Sequence, residues 1–195
     1  MELMKKSKLM IFPRLNKWIL LFFVMALAIA GYRGYQIYHY IFDPNIRRPG
    51  SIKIPPNATF QQVIDSLKKH DLIIDYEAFN WVAKRKKYDQ LVKPGKYLLD
   101  MGLNTNQIVN MLRSGNQQPV NLTFNNLRFF ADLAGDVAKF IQPDSLELIT
   151  KFTDPETYKK FGFNEHTFPC MFIPNTYEFY WTTTADQFLE RMWME

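Results

Sequence analysis

Hydrophobic positions fall into one long run and then into short periodic segments. Residues 18–32 carry no charge, and the apolar and aromatic pattern continues past Arg33 through Tyr35, Ile37, Tyr38, Tyr40, Ile41 and Phe42. A helix that crosses a bilayer needs about 20 such residues. Lys17 and Arg33 can snorkel and tyrosines suit the interface, so a membrane span is predicted over 18–38. The triplet Ala28-Ile-Ala30 has the form of a cleavage site, but no polar break comes after it. An uncleaved anchor is therefore expected, and cleaved or not, the leader exports the rest of the chain. Residues 39–50, rich in Pro and Gly, are predicted to be a linker.

Past the linker the periods shorten. Residues 51–54 alternate as a strand does and stop at Pro55-Pro56. Thr59 with Gln62 forms a capping-box pattern that opens a helix with Val63, Ile64 and Leu67 on one face. Asp75 can cap a second helix through about Lys87, with Phe79, Val82 and Ala83 inward. A turn at 93–96 leads to a strand at 97–99. Asn104 and Gln107 cap a third helix that ends at Gly115, and 120–124 is again strand-like. The order β-α-α-β-α-β describes a small α+β module.

The C-terminal stretch is more aromatic. Apolar positions at Phe130, Leu133, Ala134, Val137, Ala138 and Ile141 predict an amphipathic helix over 128–142. Asp144 with Glu147 can form another capping box, and Asp154-Pro155 starts a short helix. The run 171–181 reads as two extended pieces around Pro174-Asn175. Thr184 with Gln187 caps a last helix carrying Phe188, Leu189, Met192 and Trp193. No stop signal comes after it, so a chain cut inside a domain is expected.

Charge changes the picture once it is mapped. The net +5 of this 195-residue chain suggests a nucleic-acid partner. Residues 1–17, however, hold five cations against Glu2 alone, and the other 178 residues balance to +1. The excess is a topology signal: by the positive-inside rule, 1–17 stay in the cytoplasm and the bulk lies outside it. No nucleic acid is expected. The run 84–87 (Lys-Arg-Lys-Lys) has a plain reading as a solvated helix end and a second one as a contact with anionic polymers or lipid headgroups. Asn57 and Asn121 head glycosylation sequons, discounted because such matches are common by chance and Thr59 already serves as a cap.

Candidate chemistry is sparse. One cysteine excludes a disulfide framework, and three scattered histidines (His39, His70, His166) argue against a metal site. Neither metal nor cofactor is expected. Cys170 is expected to be a small buried thiol. Glu178 in the aromatic run, and Glu165-His166 just before it, are the best candidates. A carboxyl group held among rings would make a general acid. A core hairpin with a surface glutamate accounts for the same residues.

Behind the basic tail and the apolar helix come 54–64 (Ile-Pro-Pro-Asn-Ala-Thr-Phe-Gln-Gln-Val-Ile), 93–98 (Lys-Pro-Gly-Lys-Tyr-Leu), 106–115 (Asn-Gln-Ile-Val-Asn-Met-Leu-Arg-Ser-Gly) and 172–177 (Phe-Ile-Pro-Asn-Thr-Tyr). This order resembles the MltG (YceG-like) family of endolytic murein transglycosylases. It departs at Asn125-Asn126 and Pro169-Cys170, where many members have Glu-Gly. The resemblance implies a LysM-like peptidoglycan-binding subdomain over 51–118 and the start of an α+β catalytic domain over 119–195. Asn175, Thr176, Tyr177 and Glu178 become substrate-cleft candidates. The family's catalytic glutamate belongs to a later segment, beyond Glu195, so no catalytic residue is assigned here. That glutamate acts as acid and then base while the sugar's own 6-hydroxyl closes a 1,6-anhydro ring. The partners implied are glycan strands of peptidoglycan, the lipid bilayer and the cell-wall synthesis machinery, at the inner membrane. A non-catalytic, anchored glycan-binding scaffold is the alternative.

Overall fold

A computed structural model describes residues 17–124 and 129–195, and its architecture is α+β. The basic tail before Lys17 and the Asn125-Asn126 pair lie outside the described residues. The first element, α1, spans Lys17–Phe42 and buries none of its residues. It is long and apolar enough to cross a membrane. It runs on to Phe42, past the span predicted to end at 38, and Ile41 packs against the core of the module after it. Tyr40 meets the Trp81 ring edge-on at 6.4 Å.

Residues 43–50 do not hang free either. Pro44 bridges to Asn104 and Ile46 to Ile73, and both Asn45 and Ile46 are buried. Asn45 is the keystone. Its Nδ2 donates to Asp75 O at 2.9 Å and to Thr105 Oγ1 at 3.0 Å. Its Oδ1 accepts from Asp75 N at 2.6 Å. One amide side chain therefore ties the end of α1 to the start of two helices.

The first unit adheres closely to its capping signals. Strand β1 (Gly50–Ile54) pairs antiparallel with β2 (Gly95–Leu99), Ile52 opposite Tyr97. Helix α2 (Phe60–Lys69) opens on the reciprocal Thr59–Gln62 box, and α4 (Thr105–Ser114) on the Asn104–Gln107 box. Gly115 closes α4 in the left-handed region at φ 76°. Helix α3 (Tyr76–Arg85) starts at Asp75 but stops short of Lys87. Lys87 turns left-handed, and a 3-10 turn at Tyr88–Gln90 swings the Tyr88 ring into the core. Ile52, Leu67, Phe79, Ile108 and Leu112 are fully buried around it.

The second unit has its own core. Strand β3 (Val120–Phe124) leaves the first sheet and pairs antiparallel with β4 (Asn175–Phe179). Between them lie α5 (Phe130–Val137), α6 (Ser145–Phe152) and α7 (Pro155–Lys160), and α8 (Ala185–Met194) comes last. Phe152, Phe168, Phe172 and Phe188 interlock with ring centroids 5.4 to 6.3 Å apart, the spacing that aromatic pairs favour.

Four local expectations are corrected by the fold. The helix predicted over 128–142 ends at Val137, where bonds tighten to Phe140 N→Val137 O ahead of Pro143. Asp144 caps α6 through Glu147 N, without the reciprocal bond of a box. The run 171–181 contains one strand, not two: β4 starts at Asn175, and Met171 at the head of the run closes a 3-10 turn, Phe168–Met171, with Pro169 near its start. Cys170 is exposed, not buried. With three residues per turn, Phe168 and Met171 share the inner side and Cys170 takes the outer one.

Candidate functional site: a polar strip and an adjoining groove

Pairing of β3 with β4 decides where the expected residues point. Asn121 stands opposite Glu178, and Thr123 opposite Thr176. Directly opposed residues share a face, and these four are exposed while Leu122, Phe124, Tyr177 and Phe179 are buried. The outer face of the ribbon is thus a strip of amide, hydroxyl and carboxylate groups. The Thr123 and Thr176 hydroxyls lie 2.8 Å apart in a hydrogen bond. Asn175 is opposite the buried Phe124 and so belongs to the other face, though it is exposed at the ribbon's end, and its Oδ1 accepts from Thr176 N at 2.8 Å.

Tyr177 does not join the strip. Its ring stacks on Phe124 at 5.4 Å and its hydroxyl donates to Ile173 O at 2.7 Å. Burial holds its phenol above the ordinary range; Glu195 adds to this and Arg191 opposes it. Tyr177 therefore locks the strand and does not reach outward. Glu178 is not enclosed by rings, as alternation along the strand turns it to solvent. Glu165 and His166 sit in an exposed turn in which Asn164 Oδ1 accepts from His166 N at 2.9 Å. Among the described residues no three His, Cys, Asp or Glu side chains gather as a metal site requires.

A second surface lies next to the strip. A shallow groove of about 230 Å³ runs between β1 and α2, lined by Lys53, Ile54, Pro55, Ala58, Gln62 and Ser66, with Val63 at its floor. Lys53 extends its ammonium over the Trp181 ring, 5.6 Å from the centroid. Trp181 comes two residues after β4, next to the exposed Tyr180. Gln117 Nε2 donates to Thr182 Oγ1 at 3.3 Å, a second tie between the units. Trp181, three residues past Glu178 of the strip, thus touches Lys53 of the groove. Flat rings beside amide, hydroxyl and ammonium groups suit the apolar faces and polar rims of sugar rings.

Sequence reasoning missed the groove. Lys53 was visible only as the polar position of an alternating strand. Nothing local says that its partner is a tryptophan far along the chain.

Among known protein families, the model of the YceG-like family matches residues 52–195. No curated protein matches the chain significantly. Among solved structures, a yceG-like protein of Listeria monocytogenes is similar at 19% identity and a TM-score of 0.39, over 76% of this chain and 54% of that one. The chain thus spans about half the length of that relative.

Proposed function

The chain belongs to the YceG-like family, and on that premise we propose that it is the anchoring and glycan-binding part of a membrane-held murein lytic transglycosylase. The observation that carries this is the family match over 52–195 directly behind a 26-residue apolar helix with no buried residue. Helix α1 holds the protein in the inner membrane, with the basic tail in the cytoplasm and both units outside it. Residues 51–118 act as a LysM-like subdomain that captures a glycan strand in the β1–α2 groove. The strand then passes Trp181 to the strip at Thr176 and Glu178.

In the cleavage step, the C1–O4 glycosidic bond of the muramic sugar breaks. A carboxylic acid gives its proton to the leaving oxygen and, as carboxylate, takes the proton of the sugar's 6-hydroxyl. That hydroxyl closes on C1, so water is not consumed, unlike in hydrolysis by a carboxylate pair. A general acid needs a desolvated carboxyl group, and Glu178 is exposed on an open strand face. Glu178 is therefore not assigned as that acid; the family resemblance puts the acid–base carboxylate in a later segment, and the cell-wall synthesis machinery is the expected neighbour of the whole protein.

Purified sacculi test this. The 195-residue chain in detergent should sediment with them, and Trp181→Ala should weaken that binding several-fold. The same incubation should release no anhydro-muropeptides by mass spectrometry. Release of such products would sink the assignment of the carboxylate, and failure to sediment would sink the glycan-binding role.

A further inference from the structure

The contacts between α1 and the first unit run in a consistent direction. Asp75, just before α3, bonds to Asn45, beyond the end of α1. Six residues further along α3, Trp81 meets Tyr40, inside α1. Helix α3 therefore runs back along α1 toward the predicted bilayer. At about 1.5 Å per residue in both helices, its last turn, past Trp81, comes level with residues just before Tyr40, at the predicted end of the membrane span. Helix α4 starts at the same point, since Thr105 bonds to Asn45, and it packs on both α1 and α3.

Both helix ends on that side carry cations. Lys84, Arg85, Lys86 and Lys87 close α3, and Arg113 lies in the last turn of α4. Among the described residues, none of these five is within 4.0 Å of a carboxylate. The nearest acid in sequence, Asp89, keeps its Oδ1 buried with no hydrogen-bond partner among the described residues. Arg85 lies over the Trp81 ring, 5.1 Å from its centroid, so guanidinium, tryptophan and Tyr40 form one layer. Lys86 donates to Asn110 Oδ1, and burial with Arg113 nearby lowers its affinity for a proton. Next to it, Arg113, Asn110, Ser114 and the exposed Leu91 line an open basin of about 390 Å³. Cations crowded without counter-charges beside the exit of an apolar helix match the phosphates of an anionic leaflet.

We propose that the ends of α3 and α4 form a membrane-docking face, in which Lys84, Arg85, Lys87 and Arg113 bind phosphates of anionic phospholipids around the exit of α1. This rests on α1 being a membrane anchor. Docking fixes the first unit on the outer surface of the bilayer, and does so more firmly as the anionic lipid content rises.

The test uses the full chain in two kinds of nanodisc, phosphatidylcholine alone and phosphatidylcholine with phosphatidylglycerol. Lysine acetylation is read residue by residue by mass spectrometry, with Lys53 and Lys159 as controls. Anionic discs should slow labelling of Lys84 and Lys87 about fivefold, the change that one surface cation's attraction to an anionic leaflet supports, and leave the controls alone. K84E/R85E should remove the protection at Lys87. Equal labelling in the two discs, with the chain inserted in both, overturns docking and leaves the anchor standing. A chain that enters neither disc overturns anchor and docking together.

Discussion

The two units solve the same packing problem in different ways. In the first, reciprocal capping boxes fix α2 and α4, Asp75 caps α3, and a buried asparagine joins the pieces. Its core is mainly aliphatic, with Phe79, Tyr88 and Tyr97 set among Ile, Val and Leu. In the second, α5 starts at Phe129 with no side-chain cap, and α5, α6 and α7 are only 6 to 8 residues long. Interlocked phenylalanines fix its shape. Local polar signals specify the first unit throughout; in the second, Asp144, Asp154 and Thr184 cap α6, α7 and α8, but α5 and the turn at 168–171 are set by long-range aromatic contacts.

That contrast predicts where damage is greatest. Phe168 is fully buried and touches Phe130, Tyr158, Phe163 and Phe172. Phe168→Ala should destabilise the second unit by about 3–5 kcal/mol, the cost of a large aromatic cavity. Hydrogen exchange should locate the loss, with amides of β3 and β4 deprotected and those of α2 and α4 unchanged. Simultaneous loss in both units would break the comparison, because it would make them one cooperative body.

Asn45→Ala is the matching lesion in the first unit. It leaves Asp75 N and Thr105 Oγ1 without their partner, at a cost of about 2 kcal/mol. Amides at the starts of α3 and α4 should exchange faster, and α1 should lose its fixed contact at Trp81. A smaller test pits one kind of device against the other. Thr59→Ala removes one cap and should cost about 1 kcal/mol. No side-chain cap exists at Phe129 to remove.

The same contrast explains how much was legible in the sequence. Thr59, Asp75, Asn104 and Gly115 mark boundaries by chemistry within four residues, so the first unit's elements were readable almost to the residue. Its one misread helix end, at Arg85, is set by Tyr88 turning into a core built from distant residues. In the second unit the 3-10 turn at 168–171 exists because Phe168 and Met171 pack inward, and no local pattern announces that. Exposure of Cys170 is a by-product of that turn. At the candidate site, Thr176 and Glu178 stand on the outer face as alternation implies, and Tyr177 is withdrawn by the same rule. The contact of Lys53 with Trp181 joins positions that only the tertiary fold brings together.

The smallest expected effect is also the sharpest probe of the first unit's core. Tyr88 is fully buried, and its hydroxyl has no hydrogen-bond partner among the described residues. Tyr97, by contrast, donates to Lys93 O at 3.1 Å. Burying a phenol that makes no bond costs free energy, so Tyr88→Phe should leave stability at neutral pH unchanged or slightly raised. Burial pushes the pKa of Tyr88 above the usual 10, and that of Tyr97 up to about 12. In such a case the folded state holds its protons longer than the unfolded chain does. Stability from this source is complete below pH 10 and falls as pH rises from 10 through 12. Tyr88→Phe should make that alkaline decline shallower, and Tyr97→Phe should do the same while also losing a hydrogen bond. Urea titrations of wild type and both variants at neutral pH and at alkaline pH would separate the two tyrosines. An unchanged alkaline slope in Tyr88→Phe would mean that water reaches this hydroxyl, and that the first unit's core is looser than the burial of Tyr88 implies.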